Sequence, residues 1–271
     1  MLFQKLMGKG PASMVSPAAA KTLWAWGFNL NGTLGLGDAA YRSSPVQVGN
    51  LTTWSQIAGG LDHSLALKTD GTLWSWGAND TGRLGLGDTV KRSSPVQVGT
   101  LATWSQIAAG IGQSLAVKTD GTLWAWAYNV HGTLGLGDVA YRSSPVQVGT
   151  LATWSKISTG QRHSLALKTD GTLWAWGQST NGQLGLQDIV QRSSPVQVGT
   201  LATWSQIAPG SGRALAIKTD RTLWSWGNNV YGRLGLGDVV KRSSPVQVGT
   251  LASWVTIAKG STRIHTSALR L

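Results

Sequence analysis

The sequence predicts an all-β fold: a five-bladed β-propeller of four-stranded blades, closed by pairing the N-terminal strand with the C-terminal strands. Three observations predict it. A 50-residue unit recurs without insertion from Thr22 to Gly260, and a period of that length with several short strands per unit marks a propeller or solenoid. The units are joined by Thr-Asp-Gly-Thr-Leu-Trp-Ser-Trp (residues 69–76) and its copies at 119–126, 169–176 and 219–226, where Asp-Gly between alternating apolar residues is a hairpin signal. The strand missing after the last unit stands at the other end of the chain, as residues 22–26.

Residues 1–21 are rich in Gly, Pro, Ala and Ser and show no periodicity, the composition of a flexible arm. Lys5, Gly8, Lys9, Gly10 and Pro11 interrupt any apolar run there, so the arm does not read as a secretion signal. We expect it to dock the domain of residues 22–271 onto something larger. In the second unit four strands are expected, at residues 73–76, 96–98, 104–108 and 115–118. Turn chemistry separates them: Gly82 and the run Leu84-Gly-Leu-Gly-Asp88, then Ser93-Ser94-Pro95, Gly99-Thr100 and Gly110. Pro95 is expected to open its strand, where a missing N–H is tolerated.

With Asp70 and Gly71 as a two-residue loop, Leu67 faces Trp74, Leu65 faces Trp76 and Ala66 faces Ser75. One face of the hairpin is then bulky and the other slim, and stacking copies bury both. Allowing two extra residues, His265–Arg270 matches His63–Lys68. Closure would set Leu269 against Trp24, Ala268 against Ala25 and Ser267 against Trp26, leaving no edge exposed. An open five-unit solenoid is the alternative, but no unit resembles a polar cap.

The pattern Trp-[Ala/Ser]-Trp-Gly-x-Asn-x-x-Gly-x-Leu-Gly-Leu-Gly-Asp, then Arg-Ser-Ser-Pro-Val-Gln-Val-Gly, then Trp-x-x-Ile-Ala-x-Gly-x-x-His-Ser-Leu-Ala-Leu-Lys-Thr-Asp-Gly resembles the regulator-of-chromosome-condensation repeat. The resemblance covers residues 22–271. It implies a propeller whose blades are offset from the repeats; well-studied members usually have seven. Family functions include nucleotide exchange on the Ran GTPase with chromatin binding, β-lactamase inhibition and ultraviolet-B perception. The photoreceptors' Gly-Trp-Arg-His-Thr signature is replaced here by Gly60-Leu-Asp-His-Ser64 and Gly160-Gln-Arg-His-Ser164. Fold alone does not choose among such functions.

No cysteine is present, so thiolate metal sites, disulfides and cysteine nucleophiles are excluded. There is no Glu, and Asp38, Asp88, Asp138, Asp188 and Asp238 are each expected to bind backbone N–H groups of their own turn. Paired-carboxylate catalysis therefore has no candidates. The Leu-Gly-Leu-Gly-Asp turns lack the strand-to-helix setting of a phosphate loop. Of the four histidines, His63, His163 and His265 share one repeat position, but Gln113 and Arg213 occupy it in other units. No ring of metal ligands results. We expect no enzyme activity, no cofactor and no metal site.

The net charge of +12 favours acidic partners. Arg42, Arg92, Arg142, Arg192 and Arg242 recur at one position and would form a ring. Lys68, Lys118, Lys168 and Lys218, with Arg270, would form a second. The rings read either as a face for an anion or acidic partner or, the favoured reading, as structural, each Arg pairing with the Asp four residues before it or stacking on Trp. Trp54, Trp104, Trp154, Trp204 and Trp254 each begin a strand and are expected in the core.

Three loop patches vary between units: Phe28–Asn31 and its equivalents, Ala39–Tyr41 and its equivalents, and Leu61–His63 and its equivalents. A rigid propeller places its contacts in such loops. The candidate partner-binding residues are Phe28, Asn29, Tyr41, Arg42, Arg92, Tyr128, Tyr141, Arg142, Arg192, Tyr231 and Arg242. Trp24, Trp26, Ala268 and Leu269 are the candidate closure residues. The expected function is a non-catalytic interaction or structural propeller within a larger assembly such as a virion or surface structure, in the virion or the cytoplasm, with other protein subunits as partners and no membrane insertion. A soluble regulator or inhibitor of one client is the alternative. A basic nucleic-acid binder is a third reading and is not favoured.

Overall fold

The computed structural model of the chain describes residues 21–258 and 266–271; expectations on residues 1–20 and on His265 fall outside these. The described residues form twenty strands and no helix, hence none long and apolar enough to cross a membrane. Strands β1 (Trp24–Gly27) and β2 (Arg42–Gln47) pair with each other. Strands β3 (Trp54–Gly59), β4 (His63–Lys68), β5 (Leu73–Gly77) and β6 (Arg92–Gln97) form one antiparallel sheet in chain order. Three further four-stranded sheets repeat this arrangement over residues 104–147, 154–197 and 204–247. Strands β19 (Trp254–Ile257) and β20 (Ala268–Arg270) pair at the C-terminal end. Among the described residues there are thus four complete blades and a half-blade at each end, and every complete blade joins the last two strands of one repeat to the first two of the next.

The hairpin register differs from the expected one by one residue. Leu67 lies opposite Leu73, Ala66 opposite Trp74, Leu65 opposite Ser75 and Ser64 opposite Trp76. The reason is the turn. Thr69, Asp70 and Gly71 form a three-residue loop: the Lys68 amide donates to the Thr72 carbonyl and the Gly71 amide to the Lys68 carbonyl. Gly71 has φ +80°, the left-handed bulge residue that three-residue hairpins require. The Asp70 carboxylate accepts from the Thr72 amide and hydroxyl, and Thr72 Oγ1 accepts from the Trp74 indole. The Thr-Asp-Gly-Thr signature is therefore a self-bonded turn with an anchored indole.

A one-residue change in pairing re-sorts the faces. Leu65, Leu67 and Leu73 share one face with Ser75, while Trp74 and Trp76 share the other with Ala66 and Ser64. The bulky-and-slim expectation is corrected to an aliphatic face and an aromatic face, with Ala and Ser making room for each indole. The aliphatic face of one blade packs on the aromatic face of the next: Leu65, Leu67 and Leu73 meet Trp104, Ala116 and Trp126, and Leu115, Val117 and Leu123 meet Trp154, Ala166 and Trp176. Burial of indoles of this size dominates the stability of each interface.

Pro95 does not open its strand; it sits inside β6. That strand is the outermost of its sheet, and its pairing shifts between Val96 and Arg92, so the missing N–H falls on an irregular edge.

The structure does not show the expected closure. Among the described residues β1 pairs with β2 alone and β20 with β19 alone, and Trp24, Trp26 and Leu269 are exposed while Ala268 is half-buried.

Candidate functional site

Each repeat places a long loop after its second tryptophan, and the loops share one rim of the arc. The three-residue hairpin turns occupy the opposite rim. Within the loop of the first repeat Asn29 is the organiser. Its side-chain amide donates to the Asp38 carbonyl, the Asp38 carboxylate and the Ala40 carbonyl, and its oxygen accepts from the Leu34 amide. Asn79, Asn129 and Asn229 repeat the pattern. Asn29 is fully buried, which corrects its place among the partner-binding candidates: a side chain spent on its own loop cannot meet a partner.

The arginines behave as the spacing suggested. Arg42, Arg92, Arg142 and Arg192 each pair with the Asp four residues earlier at 2.5–2.6 Å, and Arg242 pairs with Asp238. Nη1 of each also donates to the carbonyl two residues back. The Arg42 guanidinium, then the Ala40 amide, hold the Asp38 carboxyl below its ordinary value. For Asp88 the Val90 amide leads and Arg92 follows. These arginines close the loops rather than form a free cationic ring.

The lysine ring is also committed. Lys68, Lys118, Lys168 and Lys218 place Nζ 3.5–3.7 Å from the ring centroids of Trp74, Trp124, Trp174 and Trp224. Burial lowers the pKa of Lys68, Lys168 and Lys218. Trp54, Trp104, Trp154 and Trp204 are buried and meet the same indoles edge-on.

The Leu-Gly-Leu-Gly-Asp turn is a socket for the next blade. Trp76 Nε1 donates to the Thr33 carbonyl, Trp126 to Arg83, Trp176 to Thr133 and Trp226 to Gln183, at 2.8–2.9 Å. A Cβ on Gly35 would lie 2.8 Å from Trp76 Nε1, so only glycine admits the indole. Two of the histidines, His63 and His163, are structural too. His63 and His163 are fully buried near the inner end of the loops, where burial drives the pKa of His63 down to about 3 and that of His163 to about 4. His63 Nε2 bonds the Ser114 hydroxyl of the next blade at 2.9 Å.

The loop rim exposes large apolar side chains among polar ones such as Asp80, Lys91, Gln191 and Lys241. Phe28 stacks on Tyr41 at 5.1 Å, and Tyr128 meets Tyr141 at 5.2 Å. Tyr231 stands 74% exposed with the Arg233 guanidinium over its ring. Between them, Val90, Val139, Ile189, Val190, Val239 and Val240 project at the loop tips. The aromatic candidates Phe28, Tyr41, Tyr128, Tyr141 and Tyr231 thus lie on one rim. The aliphatic tips fall in the variable patch at Ala39–Tyr41 and its equivalents but were not among the named candidates; their signal is the apolar residue or pair that stands between the loop Asp and its Arg in every repeat. Among the described residues no group of His, Cys, Asp or Glu could hold a metal ion.

The model of the regulator of chromosome condensation (RCC1) repeat matches residues 22–67, 70–117, 120–167, 170–217 and 221–269. The chain belongs to the RCC1 repeat family. A second RCC1 repeat model matches residues 54–83, 154–183 and 204–233. No curated protein matches the chain in sequence. Among solved structures, Prp20p from Saccharomyces cerevisiae is 25% identical with a TM-score of 0.79, over 94% of this chain and 65% of its own. Human WBSCR16 is 23% identical with a TM-score of 0.78, over 92% of this chain and 67% of its own. Yeast RCC1 (Prp20) in complex with Kap60 is 23% identical with a TM-score of 0.77, over 100% and 69%. This RCC1-repeat chain therefore spans about two thirds of the length of the propellers it superposes on.

Proposed function

We propose that this RCC1-repeat chain is a non-catalytic protein-binding module that takes its partner on the apolar tips of the loop rim. The observation that carries the reading is the row of exposed Phe28, Tyr41, Val90, Val139, Tyr141, Ile189, Val190, Tyr231, Val239 and Val240 on loops held rigid by Asn, Asp and Arg. Large apolar side chains gathered on one rim and flanked by polar residues mark interaction sites, and aromatic side chains are enriched at protein interfaces. The repeated cations are engaged by Asp and Trp, which disfavours a nucleic-acid reading despite the net charge. Two similar structures are described with protein partners: Prp20p with Gsp1p and histones, and yeast RCC1 with Kap60.

The test is affinity capture with the intact chain and with a variant carrying Tyr41→Ser, Tyr141→Ser and Tyr231→Ser. The three side chains are exposed, so the fold is retained. A stoichiometric protein partner should be captured by the first and lost with the second. Retention of that partner by the variant, or its loss only when hairpin-rim residues are changed, would count against the reading.

A further inference from the structure

We propose that the grooves on the outer side of the blade junctions are a second binding site, whose ligand is an acidic peptide segment: its carboxylate meets Lys118 or an equivalent lysine while an apolar neighbour packs on Leu101 or its equivalent. One groove, of about 490 Å³, lies between β6 and the sheet of residues 104–147. Val96, Leu101, Trp104, Lys118, Trp124 and Pro145 line it. The preceding junction repeats it at about 410 Å³, with Val46, Leu51, Trp54, Trp74 and Pro95 in the same places. None of the aromatic or aliphatic loop tips lines either groove, so this surface is separate from the loop rim.

The charge of the ligand follows from the donors left without partners. Stacking engages the charge of Lys68, Lys118, Lys168 and Lys218, but among the described residues no oxygen accepts from their N–H groups. Asp120, two residues beyond Lys118, spends its carboxylate on the Thr122 amide and hydroxyl. Lys218 is only 7% exposed, and burial lowers the pKa of Lys68, Lys168 and Lys218. The indole N–H groups of Trp54, Trp104, Trp154 and Trp204 meet the same indoles and also lack an acceptor among the described residues. Buried donors are ordinarily satisfied. No carboxylate lines either groove, and the guanidinium in each, Arg42 or Arg92, is already paired with its loop Asp. A carboxylate from outside gives the lysine its acceptor, and a charge-assisted hydrogen bond in such partly desolvated surroundings is a strong one.

The walls ask for more than a bare anion. Leu51, Leu101, Leu151, Leu201 and Leu251 stand 42–49% exposed at one repeat position, and Leu101 shares its groove with half-buried Trp124 and with Pro145. Mostly apolar walls with a few placed polar groups are the usual make-up of a binding cleft. A nucleic-acid backbone brings phosphates without apolar surface, and the Lys118 ammonium, 3.7 Å from the Trp124 ring centroid, already covers a face on which a base would stack. A peptide carries a carboxylate and an apolar side chain on adjacent residues. Because lysine and leucine recur every fifty residues, one acidic segment can also enter successive grooves and gain from their repetition. The net charge of +12 favours such a ligand.

The probe is the acetylated and amidated peptide Leu-Asp-Phe-Asp-Leu, titrated calorimetrically into the full chain. The same peptide with Asn for Asp, sodium acetate and inorganic phosphate are titrated beside it. Saturable binding of the acidic peptide is expected, about tenfold tighter or more than that of the Asn peptide and weakened by salt. A variant with Leu51→Glu, Leu101→Glu, Leu151→Glu and Leu201→Glu, all at exposed positions, should lose it. A variant with Lys68→Met, Lys118→Met, Lys168→Met and Lys218→Met, which keeps an apolar stem on each indole, should lose it as well. The variant with Tyr41→Ser, Tyr141→Ser and Tyr231→Ser should bind the peptide unchanged, which separates this site from the loop rim. Equal affinity for the Asn peptide, acetate or phosphate binding as tightly as the peptide, loss of the peptide with the tyrosines, or no saturable binding would each overturn the proposal.

Discussion

The indole N–H of Trp126 donates to the Arg83 carbonyl, 2.9 Å away in the loop of the preceding repeat. The Ser114 hydroxyl reaches the same oxygen. Both lone pairs of one carbonyl are thus used to hold neighbouring blades in register, and the glycine two residues on leaves the space that the indole fills.

That space can be tested against an internal control. Gly85 and Gly235 both have positive φ, +72° and +71°, so alanine costs about 1–2 kcal/mol of backbone strain at either. Only at Gly85 does the new Cβ collide with an indole, Trp126, at 2.9 Å, adding about 1–3 kcal/mol of overpacking. Urea midpoints at low protein concentration should fall clearly further for Gly85→Ala than for Gly235→Ala. Equal losses would contradict the socket.

The fourth repeat departs from the loop design and should be improvable. Ser179 stands where Asn29, Asn79, Asn129 and Asn229 cap the other loops, and its buried hydroxyl has no partner among the described residues. Gln187 replaces glycine at φ +69°. Ser179→Asn should stabilise by about 1–2 kcal/mol by restoring the hydrogen bonds. Gln187→Gly should add about 0.5–1 kcal/mol, the relief of strain less the entropy that glycine returns to the unfolded chain. Arg221→Gly, at φ +64° in the hairpin turn, should gain a similar amount. Denaturation of each single variant checks this.

Acid should act first through the buried histidines. Their folded pKa values, about 3 for His63 and about 4 for His163, lie below the unfolded value of about 6.5. Between those limits the unfolded chain binds more protons, so stability is full above about pH 6.5 and falls as pH drops towards 4. Gln113 occupies the same position in the second repeat, so His63→Gln with His163→Gln should fold. The melting temperature of that variant should stay nearly level from pH 6.5 down to about 4. Below that, protonation of Asp38, Asp70, Asp88, Asp120, Asp170, Asp220 and Asp238, whose pKa values are lowered in the fold, destabilises both proteins.

The lysines over the tryptophans should matter through contact rather than long-range charge. Lys168→Ala should cost about 0.5–2 kcal/mol, because Nζ lies 3.6 Å from the Trp174 ring centroid. Lys168→Arg should recover most of it, since guanidinium stacks on indole. Adding salt should change the difference little, as the group is partly desolvated. Denaturation at two salt concentrations measures it.

The repeat period, the all-β class, the blade offset and the Arg–Asp pairs were all legible in the chain. The hairpin register was not, because Asp-Gly serves equally in a two-residue turn and in a three-residue turn ending on a left-handed glycine. The choice rests on Gly71, which a string of letters does not settle. Asn29 looked variable because its neighbours vary, yet it is the loop's hub; the clue was its return as Asn79, Asn129 and Asn229. The purpose of Gly35 was hidden for a different reason. Its partner Trp76 lies forty-one residues later in the chain, and nothing local relates the two. The state of Trp26 and Leu269 depends on the curvature summed over five interfaces, which no single repeat encodes.

The indole plug and its glycine notch travel together in every fifty-residue block. A block duplicated or deleted in the gene therefore arrives or leaves with both halves of its own joint, and the flanking blades meet as before. Blade number in such a protein is free to drift by recombination, with no compensating mutation demanded at the seam.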